Sequence, residues 1–185
     1  MSFPDGFLWG VAAASYQIEG AADADGRAPS VWDALCRRPG AVFDGHTGDK
    51  ACDHYHRYPE DAALIAELGA RAYRLSISWP RVIAGEHCPV NELGLDFYDR
   101  VVDALLARGV EPWVTLFHWD MPLELFHAGG WLNRRIADWF ATYTEAVVRR
   151  LGDRVRHWMT LNEPQVFLGL GHSTGVHAPG LRYSR

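Results

Sequence analysis

The segment AYRLSISW at residues 72–79 decides the fold class, because its side chains alternate between apolar and polar along an extended chain. The apolar side chains lie on one side of a β-strand and the polar side chains on the other. The apolar set is Tyr73, Leu75, Ile77 and Trp79, and the polar set is Arg74, Ser76 and Ser78. Segments rich in β-branched and aromatic residues follow at 110–119 and 155–162. The sequence therefore predicts at least three strands, at a spacing of about 40 residues.

Helical patterns separate these strands. Pro59 is predicted at the start of a helix that ends at Gly69, since proline is tolerated in the first turn and glycine suits a helix end. Two later apolar stripes at helical spacing end at Gly109 and Gly152. With a further strand predicted at residues 7–15, the chain alternates four strands with three helices, which is typical of parallel β/α units.

The length of the chain limits the choice among α/β folds. A complete (β/α)8 barrel needs about 250 residues, whereas this chain has 185. A doubly wound sheet would fit the length, but GVAAAS after the first strand is no Gly-rich phosphate loop. In either fold, functional residues are expected at the carboxyl ends of the strands.

Composition excludes several classes of protein. A formal net charge of −5 argues against a nucleic-acid binder. No apolar run approaches the roughly 20 residues of a membrane span. Three cysteines without CxxC spacing argue against a disulfide framework. With no recognisable signal peptide, a cytoplasmic location is expected.

Polar and aromatic side chains follow three of the strands. Gln17 follows the first, His118 and Trp119 end the third, and Asn162 and Glu163 end the fourth. Amide and imidazole groups bind hydroxyls, and indole packs on the apolar face of a sugar ring, so this set suits a polyhydroxylated ligand. Glu163 is either a general acid or an exposed carboxylate before the turn at Pro164.

One group of residues has the composition of a metal site. Cys52, His54 and His56 alternate, and on an extended segment they would share one face. No fourth ligand is evident and the segment leads into a helix, so structural packing is favoured. No metal or cofactor is expected.

A series of motifs carries a resemblance to a known family. The chain resembles the amino-terminal part of family 1 glycoside hydrolases, the retaining β-glucosidases, over essentially its whole length. The motifs are FLWGVAAASYQIEG at 7–20, DGRAPSVWD at 25–33, TGDKACDHYHRY at 47–58, AYRLSISWPR at 72–81, PVNELGLDFYD at 89–99, TLFHWDMP at 115–122, GGWLNR at 129–134, TLNEP at 160–164 and GVHAPG at 175–180.

The resemblance implies a fold, an activity and a set of site residues. It implies a partial (β/α)8 TIM barrel of about four β/α units, in which residues 1–185 form a single incomplete domain without the carboxyl-terminal half. Glu163 matches the acid/base carboxyl of a retaining O-glycosyl hydrolase. Gln17, His118 and Asn162 match residues that bind the sugar hydroxyls, Trp119 matches an aromatic residue of the same subsite, and Arg74 matches a barrel-interior arginine close to the nucleophile.

Two departures from the family pattern bear on function. The family often carries tryptophan after LNEP, where this chain has Gln165, and the loop VIAGEHC lacks a Gly-rich, Arg-containing stretch. No ENG-type motif bearing the nucleophile is found in this chain. Glu19 and Asp120 lie near strand ends but match no nucleophile position. Retaining hydrolysis needs two carboxyl groups, so the isolated chain is expected to be inactive.

Several interpretations remain open at this point. The chain is a fragment whose missing carboxyl-terminal half, or a homodimer partner, completes a β-glycosidase acting on a β-glycoside or oligosaccharide. Alternatively it is a non-catalytic sugar-binding remnant, or part of a 6-phospho-β-glucosidase. A thioglucosidase is disfavoured, because that branch tends to replace the acid with glutamine. Neither a nucleic acid nor a membrane is expected as a partner.

Overall fold

A computed structural model describes residues 2–183, and its centre is a parallel sheet of four strands in the order β1-β2-β3-β4. The strands are β1 (Gly10–Ala12), β2 (Ala72–Ser76), β3 (Glu111–Phe117) and β4 (His157–Leu161). All three pairings are parallel. The predicted α/β class with four parallel strands is confirmed. Each strand is shorter than predicted: β2 is shorter only at its carboxyl end, where the chain turns towards the next helix, and the other three are shorter at both ends.

Eight α-helical segments surround the sheet in the described part of the chain. They are α1 (Ser15–Ile18), α2 (Val31–Cys36), α3 (His54–Glu67), α4 (Trp79–Val82), α5 (Glu92–Leu106), α6 (Leu123–His127), α7 (Ile136–Leu151) and α8 (Pro164–Val166). The chain continues from α8 into a wider helical turn at Phe167–Ser173. The three predicted helices correspond to α3, α5 and α7, and the short segments had no periodicity long enough to predict them.

The predicted start of α3 is wrong. This helix begins at His54, five residues before Pro59, and Pro59 lies inside it. Asp53, in a left-handed conformation (φ 58°), precedes the first turn. Proline at this position removes the hydrogen bond that a backbone N–H would donate to Tyr55, a cost that the packing of the helix outweighs. The buried side chains of Tyr55, Ala62 and Ile65 provide that packing.

The core lies between the sheet and the long helices. Leu75 and Val114 from the strands pack with Tyr98 from α5 and Tyr143 from α7, all nearly inaccessible to solvent. Tyr143 stacks on Trp79 with ring centroids 5.0 Å apart. Burial of such large aromatic side chains is the main source of stability in a core of this kind.

The strand register sets the site at the carboxyl edge of the sheet. Phe117, the last residue of β3, is paired with Leu161, the last residue of β4. The next backbone N–H, that of Asn162, donates to the carbonyl oxygen of Phe117 at 2.9 Å. The loops after β3 and β4 therefore leave the sheet side by side, which places 118–120 beside 162–163.

Candidate active site

Asn162 is the centre of the polar cluster at this edge, and its side chain is buried. Its Oδ1 accepts a hydrogen bond from Nη2 of Arg74 at 2.6 Å. Its Nδ2 lies 3.2 Å from Nε2 of His118 and donates to Oε2 of Glu163 at 3.4 Å. Three of the residues that the sequence singled out thus surround the fourth.

Arg74 fixes the orientation of that amide. Its guanidinium also donates from Nε to Oγ1 of Thr115 at 3.0 Å, so it connects β2 to β3 and to the end of β4. Because a guanidinium only donates, the oxygen of Asn162 must face Arg74 and the NH2 group must face His118 and Glu163. Sequence reasoning missed Thr115, whose only signal was its place in the TLFHWDMP motif.

His118 is a neutral imidazole in this environment. Burial lowers the pKa of His118 to about 4, and the nearby positive charge of Arg74 acts in the same direction. A neutral ring can accept a hydrogen bond from the Asn162 amide at Nε2 while its own proton is on Nδ1. The cluster therefore presents donors and acceptors of the kind that sugar hydroxyls require.

Glu163 occupies an unusual backbone conformation. Its φ of 44° and ψ of 63° lie in the left-handed region, and Pro164 follows it at the start of α8. Glu163 is exposed at the edge of the sheet, next to buried Asn162. The carboxyl can therefore meet a ligand while its backbone is held by the cluster.

Gln17, His118 and Trp119 line one open cavity of about 440 Å³. Trp32 and His177, which the sequence had not assigned to the site, line the same cavity, and the ring of His177 lies 5.5 Å from that of Trp32 and 5.5 Å from that of Trp119. This volume and mixture of aromatic and polar groups fit a small polar ligand. Asn162 and Glu163 adjoin this wall through the contact of Asn162 with His118.

Buried hydrogen bonds hold the helix that carries Gln17. The backbone N–H of Ser15 at the start of α1 donates to Oγ of Ser76 at 2.8 Å, and its hydroxyl donates to Oδ2 of Asp120 at 2.6 Å. Asp120 is fully buried, and this burial raises its pKa to about 7. The side chain of Asp120 thus joins the loop after β3 to α1 from behind the cavity.

Glu19 is likewise committed to a buried network. Its carboxyl accepts from Arg81 at 3.2 Å and from the hydroxyl of Tyr98 at 2.7 Å. The guanidinium of Arg81 is inaccessible to solvent and also lies 4.4 Å over the ring of Tyr55. Glu19 and Asp120 therefore serve the packing beneath the site, and Glu163 is the carboxyl that faces outward beside the polar cluster.

The alternating Cys52, His54 and His56 do not converge. Nδ1 of His54 bonds the carboxyl of Asp61 at 2.6 Å, and Nδ1 of His56 bonds that of Asp53 at 2.6 Å. Within residues 2–183, no group of three or more His, Cys, Asp or Glu side chains is arranged to bind a metal ion.

No helix between residues 2 and 183 is both long and apolar enough to cross a membrane.

Comparison with known proteins identifies relatives of the whole chain. A sequence model described as "Glycosyl hydrolase family 1" matches residues 1–185. Beta-glucosidase A of Thermotoga maritima is 56% identical over 180 residues, which are 97% of this chain and 40% of that protein. An aryl-phospho-beta-D-glucosidase of Bacillus subtilis is 49% identical over 182 residues, which are 98% of this chain and 38% of that protein.

A solved structure has the same fold over nearly the whole of this chain. The family 1 β-glucosidase from Thermotoga maritima superposes with a TM-score of 0.95 at 55% identity, covering 98% of this chain and 41% of that one. The same enzyme has been solved in complex with castanospermine and with glucoimidazole. The chain spans about 40% of the length of the relatives it matches.

Proposed function

The chain belongs to glycosyl hydrolase family 1, and we propose that it is the amino-terminal portion of a retaining β-glucosidase-type enzyme in which Glu163 is the acid/base. The observation that carries this proposal is the cluster around Asn162, which brings Arg74, His118 and Glu163 together at the carboxyl edge of the sheet. In this proposal residues 1–185 form one incomplete barrel domain.

The roles of the site residues follow from their chemistry. Gln17, His118 and Asn162 bind the hydroxyls of the glycone, and Trp119 packs near its ring. Glu163 protonates the leaving oxygen and then activates water. The second carboxylate, about 5–5.5 Å from that of Glu163 as a retaining mechanism requires, attacks the anomeric carbon, and the covalent glycosyl-enzyme that forms is then hydrolysed by that water.

The nucleophile is proposed to lie outside residues 1–185. Glu19 and Asp120 are the other carboxyls near strand ends, and both are already hydrogen-bonded. Glu19 accepts from Arg81 and Tyr98, and Asp120 accepts from Ser15. The isolated chain is therefore expected to be inactive, because loss of the nucleophile removes the covalent step. A carboxyl-terminal half that carries this carboxylate would have to complete the site.

The substrate is proposed to be a plain β-glycoside or β-linked oligosaccharide. Support comes from the T. maritima relative, named a beta-glucosidase and solved in complex with castanospermine and with glucoimidazole. The B. subtilis relative is named for phosphorylated glucosides, which keeps a 6-phospho-β-glucosidase as the second candidate.

Complementation tests the enzymatic proposal. The chain is mixed with the portion of T. maritima β-glucosidase A that follows its matched region, and hydrolysis of p-nitrophenyl β-D-glucoside is measured. We expect activity from the mixture, none from either part alone, and loss in Glu163→Gln. Glu67→Gln, an exposed position at the end of α3, is the matched control and should stay active.

Two results would contradict this assignment. Activity that survives Glu163→Gln would mean that another group is the acid. Activity of the purified chain alone would mean that a nucleophile lies within it or within a homodimer. If the mixture is inactive while the chain still binds castanospermine in a calorimeter, the sugar-binding remnant is the correct interpretation.

A cytoplasmic location is part of the proposal. All three cysteines, Cys36, Cys52 and Cys88, are free thiols, and free thiols are typical of a reducing compartment. Fractionation of cells that express the protein would test this.

A further inference from the structure

The indole of Trp119 makes a contact that the binding of a sugar ring does not explain. Its Nε1–H donates to the backbone carbonyl oxygen of Asn162 at 2.8 Å. This carbonyl belongs to the peptide unit that joins Asn162 to Glu163. The indole therefore holds the peptide unit that precedes Glu163, although Trp119 and Asn162 are 43 positions apart in the sequence.

The backbone is strained at the donor residue of this hydrogen bond and at the residue that follows its acceptor. Trp119 has a φ of 78° and Glu163 a φ of 44°, both in the left-handed region. For residues other than glycine this conformation costs about 1 kcal/mol or more, and it persists only where the surroundings enforce it. Pro164 adds a restriction, because a residue before proline prefers an extended backbone.

The hydrogen bonds around Asn162 show which contacts hold Glu163 in this left-handed conformation. The backbone N–H of Asn162 is held by the carbonyl of Phe117, and its side-chain oxygen by Arg74. Both contacts lie before the strained residue. After it, the carbonyl of Glu163 accepts from the backbone N–H of Val166 at 2.9 Å, and its carboxyl accepts from Nδ2 of Asn162 at 3.4 Å. The indole bond to the Asn162 carbonyl acts on the peptide unit that joins Asn162 to Glu163, which none of these other contacts involves.

We propose that Trp119 is a positioning residue that orients Glu163 through the Asn162 carbonyl. This inference rests on the proposed function of Glu163 as acid/base. The indole N–H is used for this bond, so Trp119 offers a sugar only its ring. Removal of the N–H should therefore impair proton transfer by Glu163 more than sugar binding.

The hydrogen bond of Trp119 has an alternative explanation in which the indole positions nothing. Tryptophan N–H groups usually find a partner when they are buried, with no further role. Trp158, which is partly buried like Trp119, shows such a bond: its Nε1–H donates to the carbonyl of Val155 at 3.1 Å, before β4 and away from Glu163. Trp158 is the matched control, because the same change removes the same kind of bond.

The first measurement uses the 185-residue chain alone. The one-bond Cα–Hα coupling of Glu163, measured by NMR, reports whether its φ is positive. We expect the left-handed value in the wild type and in Trp158→Phe, and its loss in Trp119→Phe. Replacement of Trp119 by benzothienylalanine, which has sulfur in place of the N–H, gives the same test at nearly unchanged ring size if the Phe variant does not fold.

The second measurement uses the complemented enzyme. A phenyl β-D-glucoside needs protonation of its leaving oxygen, whereas a 2,4-dinitrophenyl β-D-glucoside departs without it. In Trp119→Phe we expect kcat/KM for the phenyl glucoside to fall by about tenfold or more relative to the dinitrophenyl glucoside. Trp158→Phe should leave this ratio unchanged.

The outcomes separate the inference from the proposed function. Equal losses on both glucosides, or a Glu163 that keeps its positive φ without the indole N–H, would overturn the positioning role. A wild-type complex with no activity on either glucoside would contradict the proposed function instead, while the NMR measurement would still decide whether Trp119 holds Glu163.

Discussion

Arg74 reaches across the sheet to Asn162, with 2.6 Å between Nη2 and Oδ1. The two residues are 88 positions apart in the sequence. On the way the guanidinium bonds Thr115 of the strand between them. One side chain thereby connects three strands and sets which face of the Asn162 amide meets His118 and Glu163.

Replacement of Arg74 should disorganise this amide. Arg74→Lys keeps a positive charge but cannot donate to Thr115 and Asn162 in the same planar arrangement. We expect kcat/KM of the complemented enzyme on p-nitrophenyl β-D-glucoside to fall by about 10- to 100-fold. Thr115→Ser keeps the hydroxyl and should remain within about twofold; an equal loss in both variants would contradict the role of the Arg74–Asn162 bond.

His118 should remain neutral in mildly acidic solution. Its pKa is lowered to about 4 by burial and by Arg74, so the folded protein binds fewer protons than the unfolded chain between about pH 4 and 6.5. Stability should consequently fall as the pH drops through this range. NMR of the ring nitrogens should show a neutral His118 at pH 5.5, where N-acetylhistidine amide in the same buffer is mostly charged; a charged ring at that pH would refute the prediction.

Asp120 should make stability depend on pH in the opposite direction. Burial raises its pKa from 3.8 to about 7, so the folded protein binds more protons than the unfolded chain between these values. Its contribution is present below about pH 4 and is lost as the pH rises to 7, at most by about 4 kcal/mol. Asp120→Asn lacks this titration but can still accept from Ser15.

Urea unfolding of both proteins at pH 4.5 and pH 7.5 checks this. The stability of the wild type relative to Asp120→Asn should decline between the two values. A difference that stays constant would show that Asp120 remains ionised in the folded protein throughout.

Glu19→Gln should destabilise the fold. The change leaves the guanidinium of Arg81, which is inaccessible to solvent, without its carboxylate. Removal of one partner of a buried ion pair costs about 3–5 kcal/mol. The free energy of unfolding in urea measures the loss, with Glu67→Gln as the exposed control; a loss equal to that of the control would mean that Arg81 finds water or another partner.

The candidate site was predictable in its composition but not in its connections. Gln17, His118, Trp119, Asn162 and Glu163 could be chosen because residues at the carboxyl ends of parallel strands converge, and because the motifs resemble a known family. Their roles stay predictions until the experiments above are made. Thr115, Ser15 and Asp120 were not foreseen as supports of the site, since a hydroxyl or carboxyl in a strand or loop carries no periodic signal.

The sequence by itself determined the four parallel strands and the three long helices. Alternation at 72–79 and apolar stripes ending at Gly109 and Gly152 are local patterns, each contained within one short segment of the sequence. Only the tertiary structure decided that α3 begins at His54, and that Trp119 holds the peptide of Glu163. The physical reason is that such contacts join residues tens of positions apart, and they depend on strand register and loop conformation to within an ångström, which apolar patterns do not specify.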